Sequence, residues 1–309
     1  MMIDRQTVIC IVGPTATGKS GLAVALAKKI NGEIISADSM QIYRGFDIGT
    51  AKIQSCEMDN IPHHMLDIVP PDASFSVAQY CAAAYPIMED MIHRCKVPML
   101  VGGTGLYVDA LMTQQNFEDM PSDMEYRTAL HEEAKRKGNE HIWEQLYQLD
   151  PQWAKNLHPN NIRRVIRALE VCHITGKTMT QYACESKGKS SIQGVYIGLT
   201  YADREKLYDK INIRVDRMID SGLLNEIDGL LKRGVPRDCQ AMQAIGYKEL
   251  LPVLDGEMSL DEAIDILKRN SRRYVKRQLT WFKRNENIHW IFVDQESPIE
   301  ESNKILNLC

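Results

Sequence analysis

The sequence has 309 residues, of which 44% are hydrophobic and 25% charged, and its 37 basic and 41 acidic residues leave a net charge of −4. This composition is typical of an ordinary globular protein with room for one large domain and an insertion. No apolar run approaches the roughly 20 residues that cross a bilayer, so neither a membrane partner nor a location other than the cytoplasm is expected.

The first predicted strand, Thr7–Val12, leads directly into the segment GPTATGKS and then into an apolar run that is typical of a helix. Gly13 and Gly18 let the backbone bend so that successive N–H groups point at one anion. Lys19 adds a point charge, and the Ser20 hydroxyl can bind Mg²⁺. The segment is therefore predicted to bind phosphate, through Gly13, Pro14, Thr15, Ala16, Thr17, Gly18, Lys19 and Ser20.

The next two predicted strands, Glu33–Ala37 and Pro98–Val101, end close to candidate catalytic residues. Asp38 follows the first strand, and Thr104 follows the second in a Gly-Gly-Thr sequence, where many kinases and ATPases carry a metal-binding aspartate. Ligands bind at the carboxyl ends of parallel strands, so both residues are expected to meet the phosphate-binding loop in one crevice. Two interpretations of Asp38 remain open here: a turn or cap residue, or a carboxylate that serves a metal or a proton transfer.

No strand is predicted between residues 115 and 190. That stretch is typical of helices, which are predicted at 122–137, at 141–149, after Asp150-Pro151 and at 161–175. Beyond it, strands are predicted at Val195–Thr200 and Trp290–Val293, with long helices from Arg204 to Arg233 and from Ser259 to about Arg284.

Strands and helices that alternate in this way predict an α/β fold of the P-loop type, a mainly parallel sheet with helices on both faces. The catalytic core is expected to comprise residues 1–114 and 191–309. An all-helical insertion, residues 115–190, is expected to interrupt it.

Two of the predicted helices are rich in arginine although the chain is acidic overall. In 161–175 Asn161 is predicted to cap the helix, and Arg163, Arg164 and Arg167 lie outside its apolar face. The last part of the second helix, 268–284, contains no acidic residue, and its arginines recur on one side. A solvated helix face and a footprint for nucleic-acid phosphates both remain open for these segments.

The spacing of cysteines and histidines does not favour a metal centre. The eight cysteines are scattered without a C-x-x-C pair, which favours reduced thiols over a disulfide framework or a zinc site. His63 and His64 are the only adjacent histidines, with no partner at ligand spacing, so structural or hydrogen-bonding roles are expected.

Seven segments taken in order over nearly the whole chain resemble the bacterial tRNA dimethylallyltransferase family: GPTATGKS, SADSMQIYRGFDIGTAK, PHHMLDI, VGGTGLY, HPNNIRRVIRALEV, QAIGYKE and KRQLTWFKR. The resemblance implies transfer of the dimethylallyl group from dimethylallyl diphosphate to the exocyclic amine of the adenosine adjacent to the anticodon in tRNA. Diphosphate would leave, with Mg²⁺ as cofactor. Because a channel within one chain needs no partner subunit, a monomer is expected.

The resemblance also implies roles for individual residues. Asp38 would accept the proton of the amine, Thr104 would donate to the bridging oxygen of the donor, and Arg214 would clamp the leaving diphosphate, with Arg217 as the alternative clamp. Lys19 and the loop amides would hold the diphosphate, and Ser20 its Mg²⁺. The implied tRNA contacts are Asp38, Ser39, Met40, Gln41, Thr104, Arg127, Arg163, Arg164, Val165, Ile166, Arg167, Gln243, Ala244, Ile245, Gly246, Tyr247 and Lys248, to which the charge pattern adds Arg273 and Arg277. Gln243 departs from the family, in which that position is basic.

Three other functions share part of this pattern. A P-loop small-molecule kinase would share the loop and the sheet, but it would need ATP and an arginine-bearing lid, and the Gly-Gly-Thr sequence counts against it. A prenyltransferase acting on free adenine nucleotides would have no need for two arginine-rich helices. A non-catalytic RNA-binding module would leave the phosphate-binding loop without a role.

Overall fold

A computed structural model describes residues 7–114, 123–185 and 192–307 of the chain. They contain six strands, β1 Thr7–Val12, β2 Gly32–Ser36, β3 His63–His64, β4 Val97–Gly102, β5 Gln193–Thr200 and β6 Ile288–Phe292. The helices are α1 Lys19–Ile30, α2 Val77–His93, α3 Gly105–Met112, α4 Met124–Lys137, α5 Asn139–Leu149, α6 Pro151–Ala154, α7 Ile162–Thr175, α8 Met179–Glu185, α9 Arg204–Asp220, α10 Leu223–Lys232, α11 Leu251–Leu254, α12 Leu260–Phe282 and α13 Pro298–Asn307.

The strands form one parallel sheet in the order β3-β2-β4-β1-β5-β6. Every residue of β1 is buried, as is typical of a parallel strand that is covered on both faces and therefore reads as a continuous apolar run. Ile9 and Ile11 pack with Leu22 and Leu26 of α1 in the main core cluster. The predicted α/β fold is confirmed, and the carboxyl ends of β1, β2 and β4 lie side by side.

Contacts divide the chain into two compact units, residues 1–112 with 191–309, and residues 113–190. The boundaries expected from the sequence, at 114/115 and 190/191, touch residues outside the described ranges. In the second unit Leu130, Ile142, Leu146 and Leu169 form a separate core. The secondary-structure elements in its described part are all helices.

Several helix ends match their sequence signals. Ser259 and Glu262 form the capping box of α12, and Gly176 ends α7 in the left-handed conformation that glycine tolerates. Asn161 occupies the cap position of α7 but its side chain makes no capping hydrogen bond, so that part of the prediction is wrong. The stretch 204–233 is two helices, because Gly222 (φ 91°) ends the helical conformation between α9 and α10.

No helix in the described part of the chain combines the length and the apolar character that crossing a membrane requires. The cysteines described there are free thiols.

Candidate active site

The phosphate-binding loop joins β1 to α1, and its first residue packs against the backbone of β5. Gly13 has φ 135°, and a side chain there would overlap the Leu199 carbonyl, so only glycine allows the two strands to lie this close. The Thr17 hydroxyl donates to the Pro14 carbonyl at 2.9 Å. Gly18 precedes α1 in the left-handed conformation (φ 83°). The loop therefore ends at a helix N-terminus, where unpaired N–H groups attract anions.

Lys19 is the cation of this loop, and its environment disfavours the charge. Its ammonium donates to the Pro14 carbonyl at 2.6 Å. Burial, and then the neighbouring positive charge of Arg214, lower the pKa of Lys19 to about 7, while Asp38 acts in the opposite direction. None of the described carboxylates lies within ion-pair distance of this poorly solvated cation, so it is available to bind a phosphate group.

Asp38 lies just beyond the end of β2 with one carboxylate oxygen fixed. Its Oδ1 accepts the N–H of Met40 at 2.9 Å and of Gln41 at 3.3 Å, so Asp38 does form the turn that the sequence left open. Among the described residues, its Oδ2 has no hydrogen-bond partner. The turn thus orients the carboxylate and leaves one oxygen available for a substrate proton.

Thr104 follows β4 and is bound to the same turn. Its Oγ1 accepts the Ser39 N–H at 3.0 Å, and its own N–H donates to the Ala37 carbonyl at 3.1 Å. A side chain at Gly102 would overlap the Ala37 carbonyl, which explains the glycine at the end of β4. The ends of β2 and β4 therefore bring Asp38 and Thr104 together, as expected from the sequence.

Arg214 of α9 reaches this edge of the sheet, whereas Arg217 is exposed and does not line the cavity described next. The Nη2 of Arg214 donates to the Thr50 carbonyl at 3.1 Å. Burial lowers the pKa of Arg214, and the charge of Asp38 opposes that shift. Two cations and one carboxylate are therefore close enough to influence one another.

A cavity of about 420 Å³ connects Lys19, Asp38 and Arg214, whereas Thr104 does not line it. Of the residues predicted to form the site, it is lined by Thr15, Ala16, Gly18, Lys19, Ser20, Asp38, Ser39, Met40, Gln41, Arg214, Gln243, Ala244, Ile245, Gly246 and Arg277. Apolar side chains of α9 and α12 complete the wall: Ile211, Val215, Met218 and Leu267. The cavity thus has a charged end suited to an anion and an apolar wall suited to a hydrocarbon.

Two residues of α12 that sequence analysis missed, Tyr274 and Gln278, line the cavity. Gln278 is buried, accepts the Thr15 N–H at 3.1 Å and donates to the Gly103 carbonyl at 3.0 Å, which ties the phosphate-binding loop to the end of β4. Burial, and then the charge of Asp38, raise the pKa of Tyr274 to about 12. The signal was available, because Leu267, Ser271, Tyr274 and Gln278 share one helical face.

The segment 243–248 reaches the cavity only in part. Gln243 is exposed, and its side chain donates to the Arg237 carbonyl at 3.0 Å. Lys248 is exposed but does not line the cavity. Tyr247 is fully buried, with its hydroxyl 2.7 Å from Glu226 and its ring against Phe46, so its side chain does not reach the surface in this structure.

In the insertion the predicted tRNA-contacting residues separate into three kinds. Arg163 and Arg164 are exposed, and among the described residues no carboxylate pairs with either. The side chains of Val165 and Ile166 belong to the core of the insertion and are not exposed in this structure. Arg127 and Arg167 both pair with the fully buried Glu170, at 2.8 and 2.5 Å.

Arg273 and Arg277 of α12 are both exposed. Arg277 lines the cavity, with its guanidinium 5.5 Å from the centre of the Tyr274 ring, and Arg273 does not. Fewer arginines are therefore available to bind phosphates than the sequence indicates, because Arg127 and Arg167 are already paired with Glu170.

Comparison with known proteins identifies the family. The family model described as "IPP transferase" matches residues 41–285, and that described as "Isopentenyl transferase" matches residues 6–67. A tRNA dimethylallyltransferase of Halalkalibacterium halodurans is 52% identical over 287 residues, 93% of this chain and 91% of that protein. One of Thermoanaerobacter sp. (strain X514) is 50% identical over 299 residues, 96% of this chain and 95% of that protein. The chain belongs to the tRNA dimethylallyltransferase family.

Solved structures agree with this membership. The full-length tRNA isopentenylpyrophosphate transferase of Bacillus halodurans superposes with a TM-score of 0.73 at 48% identity, over 98% of this chain and 95% of that one. A eukaryotic dimethylallyltransferase described as acting on tRNA superposes with a TM-score of 0.81 at 29% identity, over 98% of this chain and 80% of that one. Membership in a tRNA dimethylallyltransferase family, and not merely a shared phosphate-binding loop, argues against the kinase alternative.

Members of a prenyl-diphosphate transferase family generally use a divalent metal. The residues present here can supply few of the ligands that such an ion needs. In the described part of the chain, no three His, Cys, Asp or Glu side chains come close enough to hold a metal ion together. Ser20 is exposed at the start of α1. One hydroxyl fits Mg²⁺ only if the oxygens of a bound diphosphate and water supply the other ligands, which is how proteins often bind this ion.

Proposed function

We propose that this chain transfers the dimethylallyl group from dimethylallyl diphosphate to the exocyclic amine of the tRNA adenosine adjacent to the anticodon. The observation that carries the proposal is the single cavity that joins the phosphate-binding loop, Arg214 and Asp38 to an apolar wall. A diphosphate ester of a short hydrocarbon has the same two parts. The family membership supports tRNA as the acceptor.

The charged end of the cavity would bind the donor and stabilise the leaving group. The amides of the loop and Lys19 would hold the diphosphate, and Arg214 would clamp it as the bond between carbon and oxygen breaks. Diphosphate leaves with the bonding electrons, so its charge grows in the transition state. Cations fixed in a partly desolvated cavity stabilise such growing charge better than water does.

Ser20 would hold Mg²⁺ together with the diphosphate, and the ion would neutralise part of the departing charge. The Thr104 hydroxyl would donate to the bridging oxygen of the donor. Ile211, Val215, Met218 and Leu267 would surround the five-carbon group, which removes water from the reacting carbon and thereby limits hydrolysis of the donor.

The acceptor amine is a weak nucleophile, because its lone pair is delocalised into the adenine ring. As nitrogen bonds to the donor carbon, Asp38 would accept the proton that the amine releases. The two N–H groups bound to Oδ1 support this role, since they orient the carboxylate and leave Oδ2 free. A positioned base of this kind accelerates a reaction by about 10²–10⁴-fold.

The adenine must leave the stacked anticodon loop to reach this cavity, so the tRNA has to be gripped outside it. Exposed Arg163, Arg164, Arg273 and Arg277 would supply phosphate contacts. Ser39, Met40 and Gln41 line the cavity, so they would contact the tRNA nearer the flipped base than these arginines do. The monomeric state and the cytoplasmic location remain predictions.

The test is prenyl transfer to unmodified tRNA with dimethylallyl diphosphate and Mg²⁺ in the absence of ATP. We expect one prenyl group on the adenosine next to the anticodon and stoichiometric diphosphate. Free AMP and ADP serve as competing acceptors and are expected to remain unmodified. Prenylation of free nucleotides instead of tRNA, or ATP hydrolysis without prenyl transfer, would contradict the proposal.

A further inference from the structure

A carboxylate outside the cavity organises the loop that forms one of its walls. Glu226 of α10 accepts the backbone N–H of Asp47 at 3.0 Å and of Ile48 at 2.8 Å on Oε2. Its Oε1 accepts the Gly49 N–H at 3.3 Å and the Tyr247 hydroxyl at 2.7 Å. Three consecutive amides and a hydroxyl therefore converge on one side chain.

The loop that Glu226 holds continues directly into the cavity. Gly49, Thr50 and Ala51 line the cavity, and the Thr50 carbonyl accepts Nη2 of Arg214 at 3.1 Å. The same carbonyl accepts the side-chain amide of Gln41 at 3.3 Å. In the described part of the chain, no carboxylate lies within ion-pair distance of Arg214, so its hydrogen-bonded anchor is this carbonyl.

Packing makes the arrangement stiff. A side chain at Gly49 would overlap the Tyr247 ring, so the loop lies directly against the tyrosine that also donates to Glu226. The Thr50 hydroxyl donates back to the Phe46 carbonyl at 2.7 Å. A shift of the carboxylate would therefore move the 47–50 segment and the carbonyl that orients the guanidinium.

We propose that Glu226 is a positioning residue for the diphosphate clamp, acting through the 47–50 segment and the Thr50 carbonyl on Arg214. The inference rests on the proposed function, because it assigns Arg214 to the leaving diphosphate. Glu226 touches no reacting atom. Its effect is to keep the guanidinium aimed into the cavity before the donor arrives, so that no free energy is spent on ordering it.

Glu226→Gln is the informative change. It keeps the size of the side chain and one acceptor oxygen, but it replaces the other oxygen with an NH₂ group that cannot accept the hydrogen bonds donated there. We expect affinity for inorganic diphosphate, measured by titration calorimetry, to fall about tenfold, as is usual when a hydrogen bond to a charged group is disturbed. Affinity for tRNA should not change. Asp228→Asn on the same helix, where Asp228 pairs with Lys232 at 2.6 Å, is the matched control and should bind diphosphate normally.

A double-mutant cycle separates positioning from general damage. If Glu226 acts through Arg214, Glu226→Gln should reduce diphosphate affinity further by less than about twofold in an Arg214→Ala background. Multiplicative losses would overturn the inference. Glu226→Asp, which keeps the charge at a shorter reach, should give an intermediate loss and provides the same cycle if Glu226→Gln does not fold.

Diphosphate binding and prenyl transfer test different claims. A wild-type protein that binds diphosphate but transfers no prenyl group to tRNA would contradict the proposed function, and the cycle would still decide the role of Glu226. If the wild type transfers the prenyl group and the Glu226→Gln variant binds diphosphate as tightly as the wild type, only the positioning role is overturned.

Discussion

Lys19 is expected to reduce the stability of the ligand-free protein, and Lys19→Met tests this directly. The ordinary pKa of a lysine near 10.5 falls to about 7 at this position because the ammonium is buried next to Arg214. One pKa unit corresponds to about 1.36 kcal/mol, so holding the charged form costs at most about 5 kcal/mol. The lost bond to the Pro14 carbonyl offsets part of the gain, about 1 to 3 kcal/mol. A net stabilisation of about 2 kcal/mol is expected.

The stability difference between Lys19→Met and the wild type should depend on pH in a defined direction. Between pH 7 and 10.5 the unfolded chain keeps a proton on Lys19 that the folded chain has released, so the stability of the wild type rises with pH across this window. The advantage of Lys19→Met should therefore be greatest at pH 7 and below, and it should disappear as the pH approaches 10.5.

Thermal unfolding with and without inorganic diphosphate is the assay. A stabilisation of about 2 kcal/mol raises the apparent Tm of a chain of this size by about 3 °C. Diphosphate should raise the Tm of the wild type but not that of Lys19→Met, since ligands stabilise only the state that binds them. Lys29→Met, an exposed position on the same helix, is the control and should show neither effect. A Lys19→Met protein that is less stable at pH 7 without ligand would refute the reasoning.

Three further predictions concern the proton acceptor, the tRNA surface and the ion pair of Glu33 in β2. Asp38→Asn should bind both substrates but slow the single-turnover rate by about 10² or more, and an unchanged rate would remove Asp38 from the mechanism. Arg163→Ala and Arg164→Ala should each lower the slope of log Kd for tRNA against log salt by about one unit or less; unchanged binding would make these side chains a solvated face. Glu33→Gln should destabilise the protein by about 2 kcal/mol at neutral pH, because the buried carboxylate pairs with Arg94 and its pKa is lowered to about 2. That loss should shrink as the pH falls from about 4.5 towards 2, and chemical denaturation that finds it constant would contradict the assignment.

The sheet was largely predictable because its signals are local. A buried parallel strand is a continuous apolar run, and Thr7–Val12 was predicted with the bounds that the structure gives. β3 has only two residues, His63–His64, and is a strand only because Ile34 and Ile35 pair with it. α8, Met179–Glu185, has no buried residue, so no apolar period marks it.

The candidate site was predictable where one short segment defines it and less so where packing does. The phosphate-binding loop and Asp38 follow strands directly, so their convergence follows from the rule for parallel sheets. Gln278, Tyr274 and Glu226 contribute from distant helices, and only the fold brings them to the loops. Arg127 and Arg167 were predicted as tRNA contacts from motif positions, yet a sequence does not reveal that the buried Glu170 already binds both.

The electrostatics of the cavity give Asp38 a second effect that bears on its own test. Its charge opposes the fall in the pKa of both Lys19 and Arg214. In Asp38→Asn this support is lost, so Lys19 should release its proton at a lower pH and the donor should bind less well above that pH. Between that pH and about 7, Lys19 is charged in the wild type but not in the variant, and a rate measured there would combine a binding defect with a chemical one. Below both pKa values the ammonium is charged in both proteins, and a slow single turnover at saturating donor there would report the missing proton acceptor alone. A rate that recovers fully at low pH would instead assign Asp38 to holding the cations in their charged form.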